Sequence, residues 1–110
     1  MPKNEIIWAK YAYADLDGIL DHINHNNPEN VAKIYQKIMT KIKSLEGFSN
    51  IGRTIPELEG LNISIFREIF ENPWRIFYRT EERKVYILAV FDGRRDLEEI
   101  IIKRLLFEKR

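Results

Sequence analysis

The sequence predicts an α+β fold: an N-terminal strand, an antiparallel helical hairpin, a mainly antiparallel sheet and a short C-terminal helix. Three observations carry this. Apolar residues recur at helical spacing in two successive segments between positions 12 and 45, and three short runs rich in β-branched and aromatic residues follow from position 63. The connections between those runs are too short for parallel crossovers, so the strands pair as antiparallel hairpins, with the helices gathered on one face.

Glu5 to Ala9 (EIIWA) is short, apolar and β-prone, and reads as the first strand. The period then changes. Ala12, Leu16, Ile19, Leu20 and Ile23 recur at spacings of three and four, which marks a helix from Lys10 or Tyr11 to Ile23. Gly18 inside it costs about 1 kcal/mol relative to alanine unless it admits a close helix contact. Asn24 to Asn27 forms the turn, and Asn27-Pro28 starts the second helix, with Asn as the cap and Pro in the first helical position. Val31, Ile34, Tyr35, Ile38, Ile42 and Leu45 continue the stripe, Lys33, Lys37, Lys41 and Lys43 form a solvated face, and Gly47 is the expected stop.

Phe48 to Gly60 (FSNIGRTIPELEG) has no clear period and reads as a surface loop, pinned by Phe48 and Ile51, with Arg53 free for function. The three strands then span about 63–70, 74–79 and 85–91. Leu97 to Lys109 fits a short helix with Asp96 as its cap.

Composition removes several classes of function. A chain of 110 residues, 45% hydrophobic and 32% charged, makes one domain, residues 1–110, with one core. It has no apolar run long enough to cross a bilayer and no signal-peptide pattern, so the cytoplasm is the expected location and no membrane partner is expected. Zero cysteines exclude disulfides, a thiolate nucleophile and Cys-ligated zinc. With only His22 and His25 as imidazoles, neither a metal nor another cofactor is expected. His22 falls at the end of the first helix and His25 in its turn, where solvation or the helix dipole explains them, and Tyr11, Tyr13 and Tyr35 read as packing residues. A formal net charge of +1 argues against wholesale phosphate-driven binding of nucleic acid, so any anion site is a local cluster.

That cluster is sought among Arg67, Arg75, Arg79, Arg94 and Arg95, which open, interrupt and close the apolar runs. Arginine in such a run is costly unless it faces water or an anion. Alternation along the middle strand puts Trp74, Ile76 and Tyr78 on one face and Arg75, Phe77 and Arg79 on the other. With four residues in the connection after Phe70, Phe66, Glu68 and Phe70 join the arginine face and Glu68 can pair there; with three, Arg67 joins instead. The expectation is one electropositive working surface. The bland alternative is that each arginine forms a surface pair with Glu68, Glu71, Glu81 or Asp96.

The ordered set of short motifs resembles the toxin half of bacterial toxin-antitoxin pairs of the RelE/ParE superfamily, also called plasmid stabilization proteins. It consists of Ala14-Asp15-Leu16 with Ile19 and Ile23, Phe48, Gly52-Arg53, Pro56-Glu57-Leu58, Arg67-Glu68-Ile69, Trp74 to Arg79, and Val90 with Gly93-Arg94-Arg95-Asp96-Leu97. The resemblance implies growth inhibition and a cognate antitoxin as partner. In the ParE-like branch the target is DNA gyrase and no catalytic residue is needed; the Gly-Arg-Arg-Asp-Leu and Pro-Glu-Leu runs favour this branch. In the RelE-like branch the target is messenger RNA on the ribosome, cut by attack of a ribose hydroxyl on the adjacent phosphate, which needs a base, an acid and cations. There the resemblance assigns Arg75 and Arg94 or Arg95 as the cations, with Glu68 or Asp92 left as base and Tyr78 or Tyr86 as acid. The lysines usual in that branch fall on Phe66 and Glu68, and its histidine on Asp92. A third reading is a member that only binds its antitoxin. On the expectation of one arginine surface, replacing Arg75 and Arg95 together with alanine leaves the protein folded but harmless.

Overall fold

The computed structural model describes residues 2–107. In chain order it contains β1 (Glu5–Trp8), α1 (Lys10–Asn26), α2 (Val31–Lys43), β2 (Arg53–Thr54), β3 (Phe66–Glu71), β4 (Trp74–Glu81), β5 (Lys84–Asp92) and α3 (Glu98–Ile102). The fold is α+β. The sheet runs β1-β5-β4-β3-β2, with β1 parallel to β5 and every other neighbour antiparallel. Two-residue turns set its register: Glu71 pairs with Trp74 around Asn72-Pro73, and Glu81 with Lys84 around Glu82-Arg83, where Glu82 takes the left-handed conformation at φ 56°.

One face of the sheet is covered by the helical hairpin. Ala12 and Leu16 of α1 and Ile38 and Ile42 of α2 pack on Ile69, Ile76, Tyr78, Ile87 and Val90, and Trp74 joins them. The other face is not open, as helices on one side only would leave it. Phe66, Phe77, Leu88 and Phe91 point there, too apolar to meet water. Ile55 and Leu58 from the connector, with Leu97, Ile101 and Leu105 from the C-terminal segment, cover them. A register shift between Phe77 and Tyr78 pairs Phe77 with Ala89 and Tyr78 with Ile87, so Leu88 and Ala89 both enter this second core.

Several boundaries differ from the sequence expectations for local reasons. α1 continues through Asn26, which leaves almost no turn, and α2 is entered by a 3-10 turn over Pro28–Asn30. Asn27 caps this turn with its backbone carbonyl, which accepts from Asn30 N at 2.9 Å, and not with its side chain. α2 ends at Lys43 in a 3-10 turn, where Ser44 Oγ donates to Lys41 O at 2.6 Å; Gly47, at φ −101°, supplies no left-handed stop. The segment from Phe48 to Gly60 is no simple surface loop, since it contributes β2, a 3-10 helix over Pro56–Leu61 and the buried Ile55 and Leu58. Phe48 and Ile51, expected to pin it, are 71% and 62% exposed. Of the helix expected over Leu97 to Lys109, α3 and a π-helical turn at Lys103–Phe107 are described, while its final residues lie outside the described range. Asp96 sits one residue before the Leu97 cap position, and its Oδ1 accepts from Glu98 N at 3.3 Å.

Two polar fixtures hold the layers together. β1 ends opposite Ile87, and further along β5 the Val90 amide donates to Asp15 Oδ2 at 3.0 Å, while Arg104 binds the same carboxylate at 2.7 and 3.0 Å. Asp15 therefore joins α1, β5 and the C-terminal segment at one point. Across the sheet, the Tyr78 hydroxyl accepts from Gly52 N at 3.0 Å and donates to Ser49 O at 2.8 Å. A Cβ on Gly52 would lie 2.6 Å from both Glu68 O and the Tyr78 hydroxyl. Replacing Gly52 with alanine is expected to destabilise the protein by about 2–4 kcal/mol, through overpacking and loss of this hydrogen bond. Tyr78→Phe, which keeps the volume, is expected to cost about 1–2 kcal/mol. Urea unfolding checks both, and a Gly52→Ala midpoint equal to wild type would show that the close approach does not exist.

Candidate functional site

Cross-strand pairing decides which charges meet. Phe70 pairs with Arg75 and Glu68 with Phe77, so four residues separate Phe70 from Arg75, and Glu68 lies on the Arg75 face. Arg75 is only 8% exposed and Glu68 1%. Arg75 Nε and Nη2 donate to Glu68 at 2.7 and 2.8 Å, and Nη1 and Nη2 donate to Glu57 at 2.8 Å each. The second carboxylate arrives because Pro56 opens the 3-10 turn and Leu58 is buried beside it. Arg53 Nε adds a third bond to Glu68 at 3.1 Å, and the Arg75 guanidinium lies 5.1 Å from the Phe77 ring centroid. The result is an alternating chain, Arg53, Glu68, Arg75, Glu57, with no net formal charge.

This arrangement fixes protonation. Its two carboxylates hold the Arg75 guanidinium well above its ordinary range, and Arg75 in turn draws Glu57 below its ordinary 4.5, against the opposing effect of burial. Gly93 completes the enclosure: a Cβ there would meet Arg75 Cγ at 2.9 Å and Pro73 O at 3.0 Å, so only glycine lets the loop after β5 cross the arginine stem.

The other arginines do not gather around this point. Arg67 pairs with Tyr78 in register, on the opposite face, and its Nη1 donates to Gly52 O at 2.8 Å. Arg79 shares the Arg75 face but lies over the Tyr86 ring at 4.5 Å, with Glu81 at 3.7 Å. Arg94, 75% exposed at its side chain, binds Asp92 through Nε at 3.0 Å and Nη2 at 2.7 Å. Those bonds, with one from Arg94 N, bring the Asp92 carboxyl down to about 2. Arg95 is exposed beside them, and no ion pair forms at its side chain among the described residues. The expectation of one electropositive surface is thus corrected: Arg75 is an internal tie, Arg67 serves the other face, and Arg94 and Arg95 stand on a separate loop.

That loop borders a cleft of about 540 Å³ that Gly18, His22, Trp74 and Arg104 also line. Sequence reasoning missed Arg104 and Asp15 as partners, because 89 positions separate them and nothing local links them. It also missed Glu57, which sits in a segment without periodicity. His22 and His25 are exposed; His25 Nδ1 lies 3.1 Å from Asp21 O within α1. Tyr13 stays 64% exposed, its ring edge-on to Trp8 at 5.8 Å, and is no core residue. Among the described residues no group of three or more His, Asp or Glu side chains is close enough to hold a metal ion.

Comparison with known proteins places this geometry. The family model described as the ParE toxin of the type II toxin-antitoxin system parDE matches residues 6–97. The chain belongs to the ParE toxin family. Among solved structures, it is similar to a chain of the chromosomal ParDE toxin-antitoxin system from P. aeruginosa, at 27% identity and a TM-score of 0.67, covering 81% of this chain and 95% of that one. A chain of the toxin-antitoxin complex RelBE2 from Mycobacterium tuberculosis shares the fold, at 16% identity and a TM-score of 0.54, covering 84% of this chain and 93% of that one. A search of curated protein sequences returned no match.

In this ParE-family toxin, Arg75→Ala is expected to unfold the frame rather than spare it, because it leaves the buried Glu68 carboxylate with only the bond from Arg53; the cost is about 3–5 kcal/mol. An Arg75→Ala variant with wild-type stability in urea would refute the internal tie. The pH dependence follows from Glu57. Its folded pKa lies below 4.5, so the stability it contributes is complete above that value and is lost as pH falls through the folded pKa. Glu57→Gln is therefore expected to flatten the acid limb of the stability profile, measured by thermal unfolding from neutral to acidic pH. An unchanged acid limb would exclude Glu57 from the linkage.

Proposed function

We propose that this ParE-family toxin arrests growth by binding DNA gyrase, without chemistry of its own, and that a cognate antitoxin neutralises it. One observation carries the reading: the candidate base and acid groups of a ribonuclease mechanism, and Arg75 with them, are already bonded to other residues of the protein. Cleavage by a ribose hydroxyl requires a proton acceptor, a proton donor and cations on the phosphorane. Glu68 is buried and accepts three guanidinium bonds. Asp92, held down to about 2 by Arg94, is a poor base at neutral pH. The Tyr78 hydroxyl is committed to Ser49 and Gly52, and burial raises its pKa, which makes it a poor acid. Tyr86 lies beneath Arg79, and Arg75 has no face left for a phosphate.

A binder needs none of these, only an exposed surface that matches its target. Arg95 supplies the cationic part, with Arg94 held on Asp92 beside it, on the loop where the cleft opens. The ParDE and RelBE2 likenesses to toxin-antitoxin assemblies support an antitoxin partner. Among the described residues no helix is long and apolar enough to cross a membrane, and a gyrase target puts the working location in the cytoplasm.

Controlled expression in a bacterium, without antitoxin, tests the proposal. Gyrase-linked DNA breaks with intact transcripts are expected. The Arg94→Ala, Arg95→Ala double variant is expected to lose growth arrest while its thermal unfolding stays at the wild-type midpoint. Cleaved transcripts with an intact chromosome would replace the gyrase reading with a ribosome-dependent nuclease, and normal growth would leave a protein that only binds its antitoxin.

A further inference from the structure

The glycine in the middle of α1 has no packing reason. Glycine inside a helix is unfavourable relative to alanine, and only a close contact that excludes a side chain would offset the loss. No such contact exists at Gly18, where an added Cβ meets nothing within 4 Å. Gly18 instead lines the cleft of about 540 Å³ that α1 forms with the ends of β4 and β5 and the C-terminal segment. A larger side chain at this position would narrow it.

The cleft carries one cation in excess. Asp15 is bonded to Arg104 and Asp92 to Arg94, so each pair is formally neutral. Arg95 is left over, exposed and without an ion pair at its side chain among the described residues. Its backbone is nevertheless held, since Arg95 N donates to Asp92 O at 3.3 Å. His22, exposed one helical turn beyond Gly18, lines the same space. The remaining lining is apolar and includes Ile19, Val90 and the half-buried Trp74. A carboxylate offers about four acceptor sites. Asp15 takes three bonds, from Val90 N and twice from Arg104, and Asp92 takes three, all from Arg94. Each therefore keeps some capacity to accept from a ligand.

We infer that this cleft is a binding site for a nucleoside phosphate. Arg95 and His22 take the phosphate, Trp74 and its apolar neighbours take the planar base, and Asp15 and Asp92 accept from ribose hydroxyls or an exocyclic amine. The volume lies within the range of about 300–1,000 Å³ usual for sites of small ligands. Simpler ligands match the lining less well. Inorganic phosphate would leave the apolar part uncovered, and an aromatic or aliphatic acid has no donor for the two carboxylates. The site lies off the Arg75 face, because Trp74 packs on the core under the helical hairpin and Arg75 is not in the lining. The inference does not depend on the toxin reading, although a bound phosphate would cover Arg95.

Trp8→Phe leaves Trp74 as the single tryptophan, so its fluorescence reports the cleft directly. Adenosine monophosphate and uridine monophosphate are the probes; adenosine and inorganic phosphate are the controls. A saturable change in Trp74 emission is expected with a mononucleotide, and each control is expected to bind about tenfold more weakly or worse. Calorimetric titration of the wild type is expected to give the same order of affinities. Gly18→Leu is expected to abolish binding without lowering the thermal midpoint, because leucine is the better helix former and its Cβ meets open space. Arg95→Gln is expected to weaken binding about tenfold with unchanged unfolding. No saturable binding of either mononucleotide to the wild type, wild-type affinity in Gly18→Leu, or equal affinity for adenosine and its monophosphate would each overturn the inference. A short single-stranded oligonucleotide bound far more tightly than either mononucleotide would overturn it too, in favour of a surface that follows a strand. None of these outcomes bears on growth arrest, which tests the toxin reading separately.

Discussion

The buried contact of Arg75 with Glu57 and Glu68 is the constraint on which the remaining architecture depends. Taking three charged groups largely out of water is expensive, and mutual attraction offsets the expense only when the geometry leaves no donor or acceptor stranded. Here Glu68 comes from β3, Arg75 from β4, Glu57 from the connector and Arg53 from β2, while Gly93 yields space for the loop after β5. Each group lies on a different piece of chain. The ions therefore do for the second face of the sheet what apolar packing does for the first: they fix the connector so that Ile55 and Leu58 settle over Phe66 and Phe77.

Much of this frame was legible in the sequence, because periodicity reports burial. The alternation of Trp74, Ile76 and Tyr78 with Arg75, Phe77 and Arg79 is the alternation observed, and the stripes at Ala12–Leu16 and Ile38–Ile42 form the helical core. Periodicity fails where the chain is irregular. Nothing in Phe48 to Gly60 tells an outward Phe48 from an inward Leu58, because no repeat sets an orientation. Capping rules failed at Asn27 and Gly47 for a related reason: a 3-10 turn satisfies the same backbone groups without the expected side chain or left-handed residue.

The arginine surface was misread for a physical reason of more general use. A guanidinium among apolar residues needs anionic company, and the strand pattern shows that the need exists but not who meets it. Glu68 was visible as a candidate because it lies two registers away on the neighbouring strand. Glu57 was not, and it is Glu57 that turns Arg75 from a displayed cation into an internal tie. Without it, Nη1 would have no carboxylate and Nη2 only the bond to Glu68.

The residues that carry the family resemblance can now be sorted by task. Asp15, Gly52, Arg53, Glu57, Glu68, Arg75 and Gly93 lie in fixtures that hold layers and turns together, so their recurrence as an ordered set identifies a frame. Apart from the half-exposed Arg53, they are poorly placed to recognise anything outside it. The side chains that the frame leaves exposed lie elsewhere: Arg95 beyond β5, Lys33, Lys37 and Lys41 of α2, and Ile51. Loss of activity on truncating Arg75 would consequently report the collapse of the tie and say nothing about contact with a target, whereas loss on truncating Arg95 in a fully folded protein would report contact. Stability measured beside activity is what separates the two, because the same guanidinium chemistry serves the frame at one position and the surface at the other.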